Sequence, residues 1–443
     1  MRAVALVDGE HYPPVTLDAI ERLQGRGYEF AAAVMLGGGE KLSDGLALGP
    51  LEVIHGATQR EALERALDEH HPEVVVDLSD APVVDTVRRF RLACVALARG
   101  IAYHGADFRL EPPRRPRITT HMTIAVIGTG KRTGKTAVAA AFARQASEAG
   151  LRTVIVAMGR GGPAQPVVTR GDLQRPTPEA LLVLADIGEH AASDSYEDAV
   201  VAGVTTIGAR RAGAGLAGTP FVDTVAEAVA VAEEEEPDLI VLEGSGTAIP
   251  PAAADATILV VGGATPAEDV SGGLGPMRLL ISDLAVVTMA EEPVLAAGTL
   301  SALSSSVAEF AVSIPIVRTV FRPAPIESVD GAKIFVATTA PPEAGEAIRR
   351  HLEDVIGARV VGITHRLADR PGLSEDLRKA EGTYEVLVTE LKAAAVDVAT
   401  RTALAAGHRV VFADNIPIAV GGDIEAAFAE VLATATRRAE ARA

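Results

Sequence analysis

The sequence predicts an α/β protein of three domains, a central P-loop NTPase parallel sheet flanked by N- and C-terminal α/β domains. Three observations predict it. Apolar runs rich in Val, Ala, Leu and Ile alternate along the chain with segments of helical spacing, the pattern of buried parallel strands and their crossover helices. Aromatic residues make up only 3% of 443 positions, with no Trp, so a chain too long for one core must build its cores from aliphatic side chains. Ile124 to Gln145 reads as buried strand, glycine-rich turn, Gly-Lys-Thr and alanine-rich helix, the context of a phosphate-binding loop.

Residues 1–118 form the first expected domain. RAVALVD, FAAAVML and EVVVDLSD are its strands. They close on Asp8-Gly9-Glu10-His11, on Gly37-Gly38-Gly39, and on Asp77, Ser79 and Asp80. Polar groups just past strand C-termini stand where open parallel sheets hold ligands. His11 is therefore a candidate substrate contact, while a metal site would want more ligands at set spacing. Leu17–Leu23, Glu61–Glu69 and Val83–Ala98 have helical spacing. The last carries Arg88, Arg89 and Arg91, which read equally as a solvated face or as a grip for phosphate or carboxylate. Cys94, the single cysteine, lies in the apolar run Leu92–Leu97, which predicts buried packing. A lone cysteine fits a reducing cytoplasm. The segment 111–122 is rich in Pro and Arg and reads as a linker.

Residues 119–327 form the expected ATP-binding domain. Gly128, Thr129, Gly130, Lys131, Arg132, Thr133, Gly134, Lys135, Thr136 and Ala137 are its phosphate cradle. Thr129 stands where the usual spacing has glycine. Loop and helix N–H groups would hold phosphate oxygens, Lys135 would reach the outer phosphates, and the Thr136 hydroxyl would ligate Mg²⁺. LRTVIVAMG then ends on Gly159-Arg160-Gly161-Gly162, an arginine framed for close approach to an anion. Residues 177–200 read as helix rich in acids; AASDSYEDA reads as a solvated helix start, with metal or hydroxyl contacts as the alternative. TTIGARRAGAGLAGTPF reads as a glycine-laced loop presenting Arg210 and Arg211 to a negative group. DLIVLEGSG is a buried strand with Glu243 at its tip, placed to complete a Mg²⁺ shell of oxygen ligands. ATILVVG, DLAVVTM and IPIVRTVFRP are further strands.

Residues 328–443 form the third expected domain, with KIFVATTA, ARVVGITH, YEVLVTE and HRVVFAD as strands. After Glu390, Lys392 enters a helix. A cation there opposes the helix dipole, which points to a ligand or an ion pair. Only six of the 41 basic residues are lysine (Lys41, Lys131, Lys135, Lys333, Lys379, Lys392). Three of the six, Lys131, Lys135 and Lys392, fall in motif-like surroundings.

The formal charge of −18 argues against nucleic acid as a partner, because that affinity is mostly cationic neutralisation of phosphate. No apolar run is long enough to span a membrane and the N-terminus lacks a signal-peptide pattern, so a cytoplasmic protein is expected.

Gly-Thr-x-x-x-x-Gly-Lys-Thr, followed by Val-Leu-Glu-Gly-Ser-Gly, resembles the loop and acidic strand end of dethiobiotin synthetase and its relatives, which use ATP to activate a small anionic substrate. In that group a segment similar to IPIVRTVFRP contacts the nucleotide base, making Phe321, Arg322 and Pro323 candidates here. The chain as a whole resembles the cyclic 2,3-diphosphoglycerate synthetase family. The resemblance is carried by VDGEHYPPVT, DLSDAPVVDTVRRFR, IGTGKRTGKTAV, VIVAMGRGGP, HAASDSYEDA, GARRAGAGLAGTPF, LEGSGTAIPP, VTMAEEP, TVFRPAP, FVATTAPP, TELKAAAVDVAT and DNIPI.

It implies ATP and Mg²⁺ as cofactors, 2,3-diphosphoglycerate as the small-molecule substrate, and closure of its two phosphates into an intramolecular phosphoanhydride. It also implies a homodimer, as in related enzymes. On this reading Lys131, Lys135, Arg160, Arg210 and Arg211 neutralise charge during transfer, and Thr136 and Glu243 hold the metal. His11, Arg88, Arg89, Arg132, Arg160, Arg210, Arg211 and Lys392 are the substrate-binding candidates. The alternative is a ligase of the same loop class acting on another small carboxylate or phosphorylated acid. A GTPase switch would carry Asn-Lys-x-Asp after a late strand, and VTMAEEP stands there instead.

Overall fold

In a computed structural model, the protein is described at residues 1–38, 48–310 and 312–442. Gly39 and Lys41, noted above, lie outside the described residues. The chain is mixed α/β, dominated by two large sheets of mainly parallel strands.

The first sheet contains β1 (Arg2–Val7), β2 (Glu29–Met35), β3 (Glu52–Ile54), β4 (Val74–Asp77), β5 (Ala102–His104) and β6 (Arg109–Leu110). Its order is β3-β2-β1-β4-β5-β6, parallel except for β6. The chain moves outward from β1 to β3 and then crosses back to β4, so a crevice opens between the carboxyl ends of β1 and β4. The helices follow from local chemistry. Pro13 opens Pro13–Gln24. Thr58 caps Gln59–His70 by accepting from the Glu61 amide at 3.1 Å, and Glu61 Oε2 accepts the Ala57 amide at 3.0 Å in return, a reciprocal cap.

The second sheet contains β7 (Met122–Gly128), β8 (Thr153–Gly159), β9 (Val167–Arg170), β10 (Thr205–Ala212), β11 (Val222–Asp223), β12 (Leu239–Glu243), β13 (Ala256–Gly262), β14 (Leu284–Thr288) and β15 (Ile316–Pro325). To these it adds β16 (Lys333–Ala337), β17 (Arg359–Thr364), β18 (Val386–Thr389) and β19 (Arg409–Gly421). The order is β11-β10-β8-β12-β7-β13-β14-β15-β19-β18-β16-β17, with β9 also paired to β10. β7, which feeds the phosphate loop, lies between β12 and β13. Its interior is Val, Ile, Leu and Ala, as the aromatic-poor composition requires.

β19 carries this sheet from the central unit into the C-terminal one. Arg409–Phe412 pairs parallel with β18, and the rest runs antiparallel to β15, from Ala413↔Pro325 to Gly421↔Arg318. Since β15 is parallel to β14, the carboxyl ends of β16 and β18 are turned back toward the carboxyl edge of the central strands. The last helix, Ile424–Arg442, returns to the central unit. Phe428 meets Phe142 edge-on at 5.3 Å, and Arg438 and Arg442 pair with Asp283 at 2.7 Å and Asp255 at 3.1 Å.

The first unit docks through the helix Thr86–Ala98, which packs on Gly275–Leu280. Cys94 there is fully buried, and burial pushes its thiol up to about 12. It is a packing residue. Among the described residues, no helix is long and apolar enough to cross a membrane.

Candidate phosphoryl-transfer site

β7 delivers Gly128 into the loop, and Gly134, in the left-handed region at φ +85°, starts the helix Lys135–Glu148. The other left-handed loop residue is Arg132, at φ +60°. The loop is braced from three sides. The Thr129 amide donates to Val260 O at 3.1 Å, and its hydroxyl meets Thr265 Oγ1 at 3.1 Å. The Thr288 hydroxyl donates to Thr133 O at 2.6 Å. The Phe321 ring lies on Gly134 so closely that a Cβ there would stand 2.3 Å from it. Lys131 and Arg132 are exposed, Ala137 is half-buried in the first helical turn, and Lys135 is buried. The Lys135 ammonium donates to Gly130 O at 2.7 Å and to Thr133 Oγ1 at 3.3 Å. Burial lowers its pKa to about 8, against the opposing pull of Glu243 and Asp194.

Glu243 ends β12 in register with Val126 of β7 and Ala157 of β8. Its Oε1 accepts the Thr136 hydroxyl at 2.7 Å. Asp198 approaches from the helix Asp194–Ala202, and the two carboxyls lie within hydrogen-bonding reach of each other. Neither can donate when ionised. Both Asp198 oxygens and Glu243 Oε2 are buried without a donor among the described residues. Burial, with the charge of Asp194, raises Glu243 to about 7, and burial with the charge of Glu243 raises Asp198 well above the usual carboxylate range. Two facing carboxylates and a hydroxyl, short of positive charge, are an oxygen donor set suited to a hard divalent cation.

The acidic helix was expected to begin in solvent. Its first turn is instead enclosed. Asp198 is fully buried, Ser193 and Ser195 are buried, and Glu197 is paired with Lys392. Asp198 was within reach of sequence reasoning, since Asp194 and Asp198 share a helical face and Asp198 runs directly into the apolar Ala199–Ala202.

Arg160 and Arg211 converge on the turn after β12. A Cβ on Gly246 would lie 2.6 Å from Arg160 Nη2 and 3.2 Å from Arg211 Nη2. Gly246 itself takes φ +62°. Arg211 is buried; it donates to Gly213 O at 2.8 Å and Ser245 O at 2.7 Å, and its Nε has no acceptor among the described residues. Burial and then the Arg160 charge push its pKa down. Two guanidiniums held together with no ion pair to either among the described residues, the Asp194 charge being their nearest counterweight, form a cradle for an anion.

Arg210 behaves differently. The glycines of GARRAG predict a loop, but Thr205–Ala212 is strand β10, where side chains alternate between faces. Arg211 points inward, while Arg210 is exposed and donates through Nε to Gly162 O at 2.9 Å. It tethers the Arg160 loop and does not join the cradle.

Other candidates lie in ion pairs. Arg89 donates to Asp77 Oδ2 at 2.7 Å and Ser79 O at 2.9 Å, and Asp77 also accepts the Tyr103 hydroxyl at 2.7 Å. His11 contacts Asp8 at 2.9 Å, and the exposed Arg88 donates to Val83 O at 3.1 Å. These contacts stay within the first unit. Arg322 makes two bonds to Glu291, at 2.9 and 2.8 Å, while Pro323 lies opposite Asn415 in β19. Lys392 reaches Glu197 from the C-terminal unit at 2.5 and 2.6 Å.

Three family models cover the chain. They are the cyclic 2,3-diphosphoglycerate synthetase N-terminal domain at residues 2–111, its P-loop domain at 123–320 and its C-terminal domain at 325–416. The chain belongs to the cyclic 2,3-diphosphoglycerate synthetase family. Curated family members extend the likeness over the full length. The chain is 45% identical to the cyclic 2,3-diphosphoglycerate synthetase of Rubrobacter xylanophilus, covering 96% of both chains. It is 39% identical to that of Methanothermus fervidus, covering 97% of this chain and 96% of the relative. To that of Thermococcus kodakarensis it is 42% identical, covering 95% of each.

Proposed function

We propose that the protein is an ATP-dependent synthetase that closes the two phosphates of 2,3-diphosphoglycerate into an intramolecular phosphoanhydride, releasing ADP and inorganic phosphate. The observation that carries this reading is the anion cradle of Arg160 and Arg211 beside a phosphate loop and a donor-poor carboxylate pair. A substrate bearing two phosphates must approach a triphosphate, and repulsion is the main obstacle. The buried Arg211 with the exposed Arg160 beside it, neither of them in an ion pair among the described residues, suits that demand better than it suits a monocarboxylate.

Loop amides and Lys135 hold the outer phosphates of ATP, and the helix N-terminus faces them. Arg160 and Arg211 hold the substrate phosphates in line. An oxygen of one substrate phosphate attacks the γ-phosphorus, and the bond to ADP breaks. An oxygen of the neighbouring phosphate then attacks the phosphorus that carries the transferred group, and inorganic phosphate leaves. The attacking oxygens are already ionised, so no general base is needed. Thr136, Glu243 and Asp198 are the residues that would hold Mg²⁺, which supplies charge neutralisation at the transferring group. A cytoplasmic homodimer belongs to the same proposal; Leu216, Phe221 and Val222 stand exposed at the sheet edge and would be covered in such an assembly. The test is ADP release with Mg²⁺ and ATP. The reading expects it to depend on 2,3-diphosphoglycerate, and stimulation by a dicarboxylate or amino acid in its place would favour the other ligase chemistry.

A further inference from the structure

The acidic helix Asp194–Ala202 carries Asp198 into the site, yet it belongs to neither the phosphate loop nor the strand of Glu243. What holds it is charge from elsewhere. At its first turn the half-buried Glu197 is paired with Lys392, whose ammonium stands 2.5 and 2.6 Å from its two oxygens. Lys392 follows β18, in the C-terminal unit. At its last turn Val201 O accepts from Arg144 of the loop helix at 2.9 Å, and the same guanidinium lies 2.8 Å from Asp414 of β19. Arg401 pairs with Asp186 on the preceding helix, so the segment from Lys392 to Arg401 lies along this whole region. The C-terminal unit therefore holds the first turn of this helix directly through Lys392, and its last turn only indirectly, through Asp414 on Arg144.

We propose that Lys392 is a positioning residue: by neutralising Glu197 it fixes the acidic helix so that Asp198 stands opposite Glu243 in a geometry that can hold a divalent cation. This rests on the metal–nucleotide reading above. Lys392 acts through Glu197, both of whose oxygens it contacts. Partners one shell removed from a metal commonly matter about ten- to a hundredfold in affinity, and removing Lys392, whose side chain is 41% exposed, leaves the 17%-exposed Glu197 carboxylate without its cation.

The test uses the full chain with ADP, so that nothing turns over, and Mn²⁺ as probe. The EPR signal of the free ion, read against the same Mn²⁺ and ADP without protein, gives the fraction bound to protein. Lys392→Met is expected to weaken Mn²⁺ binding by about ten- to a hundredfold, and Lys392→Arg to bind close to wild type. In the double variant Lys392→Gln/Glu197→Gln, a neutral hydrogen-bonded pair keeps the link without a stranded charge, so Mn²⁺ affinity is expected to return. This variant carries the test if Lys392→Met loses its cooperative melt. Unchanged Mn²⁺ binding in a folded Lys392→Met would overturn the proposal, as would a double variant as weak as the single. Wild-type protein that takes up no Mn²⁺ would overturn the metal reading on which it stands.

Discussion

Replacing Glu243 by Gln should make the metal-free protein more stable in mild alkali and leave it nearly unchanged in mild acid. Burial, with the Asp194 charge, moves Glu243 from its ordinary 4.5 to about 7 in the fold. At about 1.4 kcal/mol per pH unit, ionising it inside the fold costs roughly 3 kcal/mol relative to the unfolded chain. The sign follows from the raised folded value. Below about pH 4.5 both states are protonated and nothing is lost. As pH rises toward about 7 the unfolded chain gives up its proton first and stability falls, with the full penalty present above. Asp198, also raised, acts in the same direction. The amide that Glu243→Gln introduces cannot ionise, can still accept from Thr136, and offers an N–H to Asp198.

Calorimetric melts in chelator from about pH 5 to pH 8 are the assay. Wild type should lose stability across that window relative to Glu243→Gln, with a gap on the order of 3 kcal/mol at the alkaline end. Added Mg²⁺ should then stabilise wild type and not the variant. Parallel pH profiles, or equal stabilisation by Mg²⁺, would refute the reasoning.

Other substitutions separate the cations. Arg211→Ala should lower kcat by about 10²- to 10³-fold, the usual loss for one preorganised donor. Arg210→Ala, which frees only the Gly162 carbonyl, should act less and mainly on KM for the acid; equal losses in steady-state kinetics would contradict the split. Gly246→Ala places a methyl against Arg160 and Arg211 and should weaken the acid while sparing ATP, read as separate KM values. Gly134→Ala meets Phe321 at 2.3 Å and an unfavourable φ worth about 1–2 kcal/mol, so nucleotide binding by calorimetry should be lost or sharply weakened.

Much of this site could be read in the sequence because its chemistry is local. The phosphate loop is a contiguous strand, turn and helix, and Glu243 is marked by an apolar run that ends in an acid and glycines. The strands of the C-terminal unit were legible for the same reason. What could not be read depends on register between distant segments. Glycines in GARRAG suggested a loop, so the alternation that separates Arg210 from Arg211 went unused. The sequence allows an ion pair for Lys392 but places neither Glu197 beside it nor Asp77 beside Arg89 nor Glu291 beside Arg322, the partners the fold supplies. AASDSYEDA stays open between metal contact and a solvated start, because the burial that singles out Asp198 depends on what packs over the helix face. The continuity of one sheet through β19 is also tertiary: a single long strand pairs parallel on one half and antiparallel on the other.

The most direct measurement of the central claim is ³¹P NMR of the protein with Mg²⁺, ATP and 2,3-diphosphoglycerate. The account predicts a new pair of coupled phosphoanhydride resonances that grow in step with ADP and inorganic phosphate, as the two phosphomonoester signals of the substrate decline. ATP consumed while both phosphomonoester signals persist unchanged would contradict it.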